Sequence, residues 1–394
     1  MAKRDTETLR YLLDYCEGDR QREKVAAYIE CGSHAKAASL LDCHPRNVQR
    51  AVQHAKHRAA MQGHSPEHGM VHTVPDGFNV RGVSTLYDAK GKAVSQWVKS
   101  GADDARRREI MKGIFDAFAD DLPRVPPSKP ITVDAPDLLN LYTFTDGHVG
   151  AYAWAAEGGA EWNLDIAEQT FVDAGNYLMK VAPKAKKCIL SFQGDWLHFD
   201  GMLPVTPTHG HVLDAAGRPG QVVTYAIRIC RRLIAAALKR HEQVDVVVSE
   251  GNHDLYSSLW LRRLLTVAYE NEQRVNVHQH ESPYHATTHG LCFIGWHHGH
   301  LKKNEQLPLL FATRFPEMWG RTRYRDAHGG HWHHERVNEH SGMTYWQHGA
   351  LPAPDSHASR NGYDSHRQAT AITYSAKCGR IAVNIYRPEM SEAA

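Results

Sequence analysis

The chain has 394 residues, 42% hydrophobic and 23% charged, with 46 Lys and Arg against 44 Asp and Glu. That mix can bury a sizeable core over two or three domains, and it excludes an extended disordered chain. Charge is uneven: residues 1–130 carry 21 basic against 17 acidic side chains and residues 131–394 carry 25 against 27, so any attraction to a phosphate backbone has to be local.

No apolar run approaches the roughly 18 residues that span a bilayer, and the opening MAKRDTETLR lacks an apolar signal-type stretch. A soluble, cytoplasmic protein with no membrane partner is expected. The seven cysteines form no CxxC pair, which suggests neither a disulfide framework nor a thiolate zinc site. The 28 histidines are different, because many cluster beside Asp, Asn and Gly. That is the composition of a metal site built from imidazole and oxygen ligands.

In chain order, residues 20–60 read as three helical pieces. QREKVAAYIEC places Val25 and Ile29 on one face, Gly32 breaks it, and Ser33 can cap AKAASLL. A short turn leads to Pro45 at a first helical position and the run PRNVQRAVQHAKHRAA, with Val48, Val52 and Ala55 as its apolar stripe. Arg46, Arg50, His54 and His57 share another face. Helix, tight turn and helix with a basic outer face is the helix-turn-helix arrangement, whose second helix enters the major groove of DNA. Arg46, Asn47, Gln49, Arg50, Gln53 and His54 are the candidate DNA contacts. The same pattern also suits a small helical bundle with a solvated basic face.

Residues 1–65 are therefore assigned to this module, and 66–130 to a linker. The linker carries a hairpin, FNVRGVSTLYDAKGKAVSQWVKS, with a turn at Asp88–Gly91, and a polar helix near 103–120. Leu122–Pro130 reads as a stiff joint before the main domain, 131–394. There the pattern becomes apolar strands (LLNLYTF, CILSF, VDVVVS, LCFIGW) with helical segments at about 163–182, 221–241 and 258–272. After about 340 it turns β-rich, with MTYWQH, ATAITYS and GRIAVNIY. Strand–helix alternation predicts an α/β (α+β) domain whose ligands gather at strand ends.

Each strand leads into polar residues. Thr145-Asp146-Gly147-His148, Gly194-Asp195-Trp196-Leu197-His198, Gly251-Asn252-His253-Asp254 and His297-His298-Gly299-His300 follow the first four strands, and Gly330-His331-Trp332-His333 lies further on. A single sheet edge could bring these loops together. Asp, His and an Asn carbonyl suit Mn²⁺, Fe or Zn²⁺, and their number is too large for one ion. Two ions sharing a carboxylate, roughly 3.5–4 Å apart, would activate a water and stabilise a leaving oxygen.

The ordered set DxH … GDxxH … GNHD … HGH … GHxH resembles the calcineurin-like metallophosphoesterase superfamily over residues 138–386. The resemblance implies a four-layer β-sandwich flanked by helices, with two divalent metal ions, Mn²⁺ foremost. It puts Asp146, His148, Asp195 and His333 on one ion and Asp195, Asn252, His298 and His331 on the other, Asp195 bridging. It leaves His253 off the metals, contacting phosphate and protonating the leaving oxygen as general acid. A helix-turn-helix tethered to such a site raises the local concentration of DNA. That favours a nuclease related in kind to SbcD-type repair nucleases, and the combination also looks like bacteriophage-encoded metallophosphoesterases. The alternative is a phosphatase or small-molecule phosphodiesterase whose amino-terminal domain targets it or binds protein. The insert 199–220 is expected to be a substrate-shaping flap, with His209 and His211 as candidate phosphate contacts.

Overall fold

The computed structural model describes residues 7–66, 70–71, 78–87, 93–102, 109, 123–207 and 210–392. The chain divides into two compact units, Met1–Met111 and Lys112–Ala394.

In the first unit a 3-10 helix, Glu7–Tyr15, precedes α1 (Asp19–Cys31), α2 (His34–Leu40) and α3 (Pro45–Met61). Gly32, in the left-handed region at φ 65°, ends α1 as expected of a glycine there. Pro45 opens α3, and the His44 ring Nδ1 accepts a hydrogen bond from the Arg46 N–H at 3.2 Å. Leu12, Val25, Tyr28, Ala37, Val48, Val52 and Ala55 form the core of these helices. Two short strands, β1 (His64–Ser65) and β2 (Met70–Val71), pair antiparallel, as do β3 (Phe78–Tyr87) and β4 (Ala93–Ala102). The expected turn Asp88–Gly91 and the expected helix near 103–120, Glu109 apart, lie outside the described residues.

The second unit is mixed α/β. Four parallel strands, β5 (Leu138–Thr145), β6 (Lys187–Gln193), β7 (Gln243–Ser249) and β8 (Val275–Val277), are extended by antiparallel β14 (Ala369–Ser375) and β15 (Gly379–Tyr386) in the order β15-β14-β5-β6-β7-β8. β5 to β7 are buried on both faces, which is why they read as continuous apolar runs. A five-stranded sheet combines β9 (His285–His289), β10 (Cys292–Trp296), β11 (Tyr324–Gly329), β12 (Arg336–His340) and β13 (Met343–Gln347) in the order β12-β13-β11-β10-β9.

One cluster joins the six-stranded sheet to the helices Leu164–Val181, Pro219–Leu238 and Leu255–Ala268 through Phe144, Phe171, Phe192, Ile229, Leu233 and Leu261. A second joins the two sheets through Leu139, Leu141, Ile189 and Val247 against Ile294, Trp296 and Trp346. A third places Leu307 and Phe311, on helix Leu307–Arg314, with Phe293, Ala327 and Tyr345 of the five-stranded sheet.

The proline-rich segment 123–130 runs along the second unit. The Val125 N–H donates to the Ala268 carbonyl (2.6 Å), Arg124 pairs with Glu270 (2.7 Å), and the Ser128 N–H donates to Glu272 (2.5 Å).

The expected single sheet edge is corrected by this topology. The loops after β5, β6 and β7 leave one sheet, and those after β10 and β11 leave another. The apolar side of β10 is spent on packing against the first sheet, so β10 stacks on that sheet instead of extending it.

Candidate metal centre

Each motif sits where a parallel strand ends, and the loops are stitched backbone to backbone. The Asp146 N–H donates to the Gly194 carbonyl (3.1 Å), the His148 N–H to Asp195 (2.8 Å), Gly194 to Ser249 (3.1 Å) and Gly330 to His298 (2.8 Å). Such crowding requires glycine at the flanking positions. A Cβ on Gly251 would lie 2.0 Å from Asp195 Oδ1, and one on Gly330 would lie 1.9 Å from Thr145 Oγ1 and 2.2 Å from Asp146 Oδ2.

The turns also force the ligating residues themselves into the left-handed backbone region. Among the described residues, the non-glycines with positive φ are Asp42, Asp146, His148, Asp195, His331 and His333. Five of the six are sequence-predicted metal ligands. Each such conformation costs on the order of 1 kcal/mol, and strain of this kind gathers at functional sites.

Two trios of side chains result: Asp146, His148 and His333, and Asp195, His298 and His331. Within each, the candidate ligand atoms lie no more than 4.8 Å apart. His333 Nε2 is 3.3 Å from Asp146 Oδ1 and 3.1 Å from His148 Nε2. The His298 Nδ1–H donates to the Gln193 carbonyl (3.1 Å), which turns Nε2 toward Asp195 Oδ2 at 3.0 Å and Asp146 Oδ1 at 3.8 Å. Fixing the tautomer through the far nitrogen is how a ligating imidazole is usually oriented. Both carboxylates are fully buried.

Burial alone would raise their pKa values. The neighbouring His298 nevertheless draws Asp195 well below the usual carboxylate range, and His298 and His333 draw Asp146 down. Burial works against a charged His298 ring, but Asp195 and Asp146 push its pKa up to about 10. Burial, with His253 and His333 facing it, holds the pKa of His148 well below its ordinary value.

The remaining predicted ligand, Asn252, has a buried Oδ1 with no hydrogen-bond partner. Asn252 directly precedes His253, whose backbone N–H meets Asp195, and an orphaned buried carbonyl oxygen is costly unless a group from outside the chain, such as a cation, completes it. The donor set therefore fits borderline divalent ions.

His253 is half-buried next to these groups. Its N–H donates to Asp195 Oδ1 (2.7 Å), and its Nδ1–H donates to the His198 carbonyl (2.8 Å), leaving Nε2 as the available nitrogen. With His148 and His198 it also forms a third group of close ring nitrogens, one that shares His148 with the first trio.

Three supporting residues had no role in the sequence reading. Asp254 is fully buried and accepts backbone N–H bonds from Gly251 (2.8 Å), Asp195 (3.1 Å) and Trp196 (2.7 Å), tying the β6 and β7 loops together. As the last letter of GNHD it was visible, though its bonding was not. Asp200 accepts from the N–H groups of Tyr256 and Ser257, both at 2.7 Å, at the start of helix Leu255–Ala268. The Thr145 hydroxyl donates to Asp146 Oδ2 at 2.7 Å. His198 is buried with Nδ1 3.2 Å from His148 Nδ1, whereas His334 is exposed.

The insert is pinned at its base to the stretch after His148: the Tyr152 N–H donates to Asp214 (3.0 Å) and Ala216 to Gly150 (2.8 Å). His211 is exposed, and His209 lies outside the described residues. A cavity of about 350 Å³ opens at the other end of β11, lined by Arg325 and Arg380 among others. Of its arginines, Arg380 is engaged with Asp326 (2.9 Å) and Arg325 with the Trp319 (3.0 Å) and Thr322 (2.6 Å) carbonyls. In the first unit, Arg46, Asn47, Gln49, Arg50, Gln53 and His54 are all exposed on α3, opposite buried Val48, Val52 and Ala55.

No family profile and no curated protein matches this chain. Among solved structures it is similar to a conserved uncharacterised protein, described as a predicted phosphoesterase, from Streptococcus pneumoniae TIGR4. That match has 10% identity and a TM-score of 0.27, and covers 64% of this chain and 99% of that one. It is similar also to zinc-complexed Vps29 from Entamoeba histolytica, at 15% identity and TM-score 0.26, covering 64% and 97%. A third likeness is to an archaeal phosphodiesterase, at 11% and 0.31, covering 63% and 99%. At such TM-scores the likeness carries no weight for the chemistry, which rests on the side chains above.

Proposed function

We propose that this protein is a two-metal-ion phosphoesterase that hydrolyses phosphodiester bonds in DNA. The observation that carries the reading is the pair of trios meeting across Asp195 and Asp146, held by loops that keep five of the candidate ligands at positive φ. Asp146, His148, Asp195 and His333 would hold one divalent ion and Asp195, Asn252, His298 and His331 the other, with Mn²⁺ the first candidate and Fe or Zn²⁺ next. Bound there, the ions would polarise a phosphoryl oxygen and lower the pKa of an attacking water.

The chain supplies the rest. Asp195 meets the His253 N–H and the His298 ring, which links the loops after β6, β7 and β10. His253, anchored through Nδ1 to the His198 carbonyl, keeps Nε2 available to donate a proton to the leaving oxygen. The three packing clusters support a four-layer sandwich of helices, two sheets and helices. The exposed basic face of α3 supports a helix-turn-helix that concentrates DNA. On this reading the protein would be related in kind to SbcD-type nucleases and bacteriophage-encoded metallophosphoesterases, and would act in the cytoplasm.

The test is cleavage of end-labelled single- and double-stranded DNA with Mn²⁺ by wild type and Asp195→Ala. Cutting by wild type alone supports the reading. Turnover of a simple phosphate monoester without DNA cutting would replace it with a phosphatase.

A further inference from the structure

Trp332 lies between two candidate metal ligands, His331 and His333, yet 62% of its surface is exposed. Its ring meets His331 edge-on, centroid to centroid 5.2 Å. The backbone around it is fixed. Both neighbours are in the left-handed region, at φ 72° and 55°, the Trp332 N–H donates to the Gly330 carbonyl (2.9 Å), and its own carbonyl accepts from His334 Nδ1 (2.9 Å). A large aromatic this exposed adds little to the core. The His331 ring it touches lies 5.3 Å, centroid to centroid, from that of His298, so the exposed indole borders the candidate metal centre.

We propose that Trp332 is a specificity-determining residue that stacks on a nucleobase next to the scissile phosphate. Stacking on an indole tolerates any base, because every base presents a π-face. It would select nucleic acid over base-free phosphodiesters at the metal site itself, independently of α3. The proposal rests on the phosphodiesterase reading above.

The experiment compares wild type, Trp332→Ala and Trp332→Phe, loaded with Mn²⁺, on a ten-nucleotide oligothymidylate and on the same backbone built from abasic units. Trp332→Ala is expected to raise KM for the oligothymidylate about ten-fold, with kcat within about two-fold. KM for the abasic strand should not move, and Trp332→Phe should restore most of the loss. Equal kinetics for all three proteins on both strands would overturn the proposal. So would an equal loss on both strands, which would give Trp332 a role in holding the loop. If wild type cuts neither strand while binding Mn²⁺, the phosphodiesterase reading has failed and the stacking role falls with it.

Discussion

Strain and crowding at single residues make the sharpest tests of the metal centre. Gly251→Ala would drive a methyl to 2.0 Å from Asp195 Oδ1. It should reduce phosphodiester turnover at least about a hundred-fold while leaving circular dichroism near wild type, since the clash is local to a carboxylate that must keep its place. Gly159→Ala is the control, because φ there is +82° but nothing lies within 4 Å; a loss of about 1 kcal/mol in urea unfolding, with turnover unchanged, is expected. His331→Gly tests whether strain is retained for function. Glycine is at ease at φ 72° and keeps the N–H that donates to Asp146 at 3.0 Å. The metal-free variant should be as stable as wild type or up to about 1 kcal/mol more so, while its affinity for Mn²⁺ falls. A clear loss of metal-free stability would show that the His331 ring is structural.

Elements are held in register by buried anchors that sequence does not reveal. Asp254 ties the β6 and β7 loops through backbone N–H groups. Asp254→Asn would turn an amide toward those donors, and it should cost about 2–3 kcal/mol in equilibrium unfolding. Helix α3 bears the other element-scale test. Arg46 and Arg50 are exposed, so changing both to Ala should leave folding intact, weaken DNA binding at least about ten-fold and reduce the slope of log affinity against log salt by about 2. Unchanged binding would make α3 an ordinary solvated helix. The strands β5 to β7, their following motifs and the helices between them were legible in the sequence, because doubly buried parallel strands are continuous apolar runs and the ligands sit in the same few residues as the strand ends. The second sheet's part was less legible. β11 reads as polar, YRDAHG in sequence, because its polar groups are satisfied by distant partners: Asp326 by Arg380 and Tyr374 at 2.9 Å each, and His328 by His348 and Tyr374 at 3.0 Å each. Periodicity cannot register partners that lie 20 to 54 residues away in sequence.

Across the whole molecule, several histidines are neutral and buried, which ties stability to pH. His241, between the Tyr142 hydroxyl (3.0 Å) and the Ala185 carbonyl (2.8 Å), is lowered by burial to a pKa of about 4. The unfolded chain takes up this proton near pH 6.5 and the folded one only near pH 4. Stability from this site is therefore complete above pH 6.5 and declines as pH falls toward 4, by on the order of 3 kcal/mol. Urea unfolding at steps from pH 7 to 4.5 should show that decline, and His241→Gln should flatten it; an unaltered slope would place the acid sensitivity elsewhere.

The most direct measurement of the central claim is titration of the metal-free protein with Mn²⁺, counting bound ions for wild type and Asp195→Ala. Two ions per chain for wild type, with at least one lost in the variant, is the expected result. One ion or none in wild type, or two retained without the Asp195 carboxylate, would contradict a shared two-metal centre.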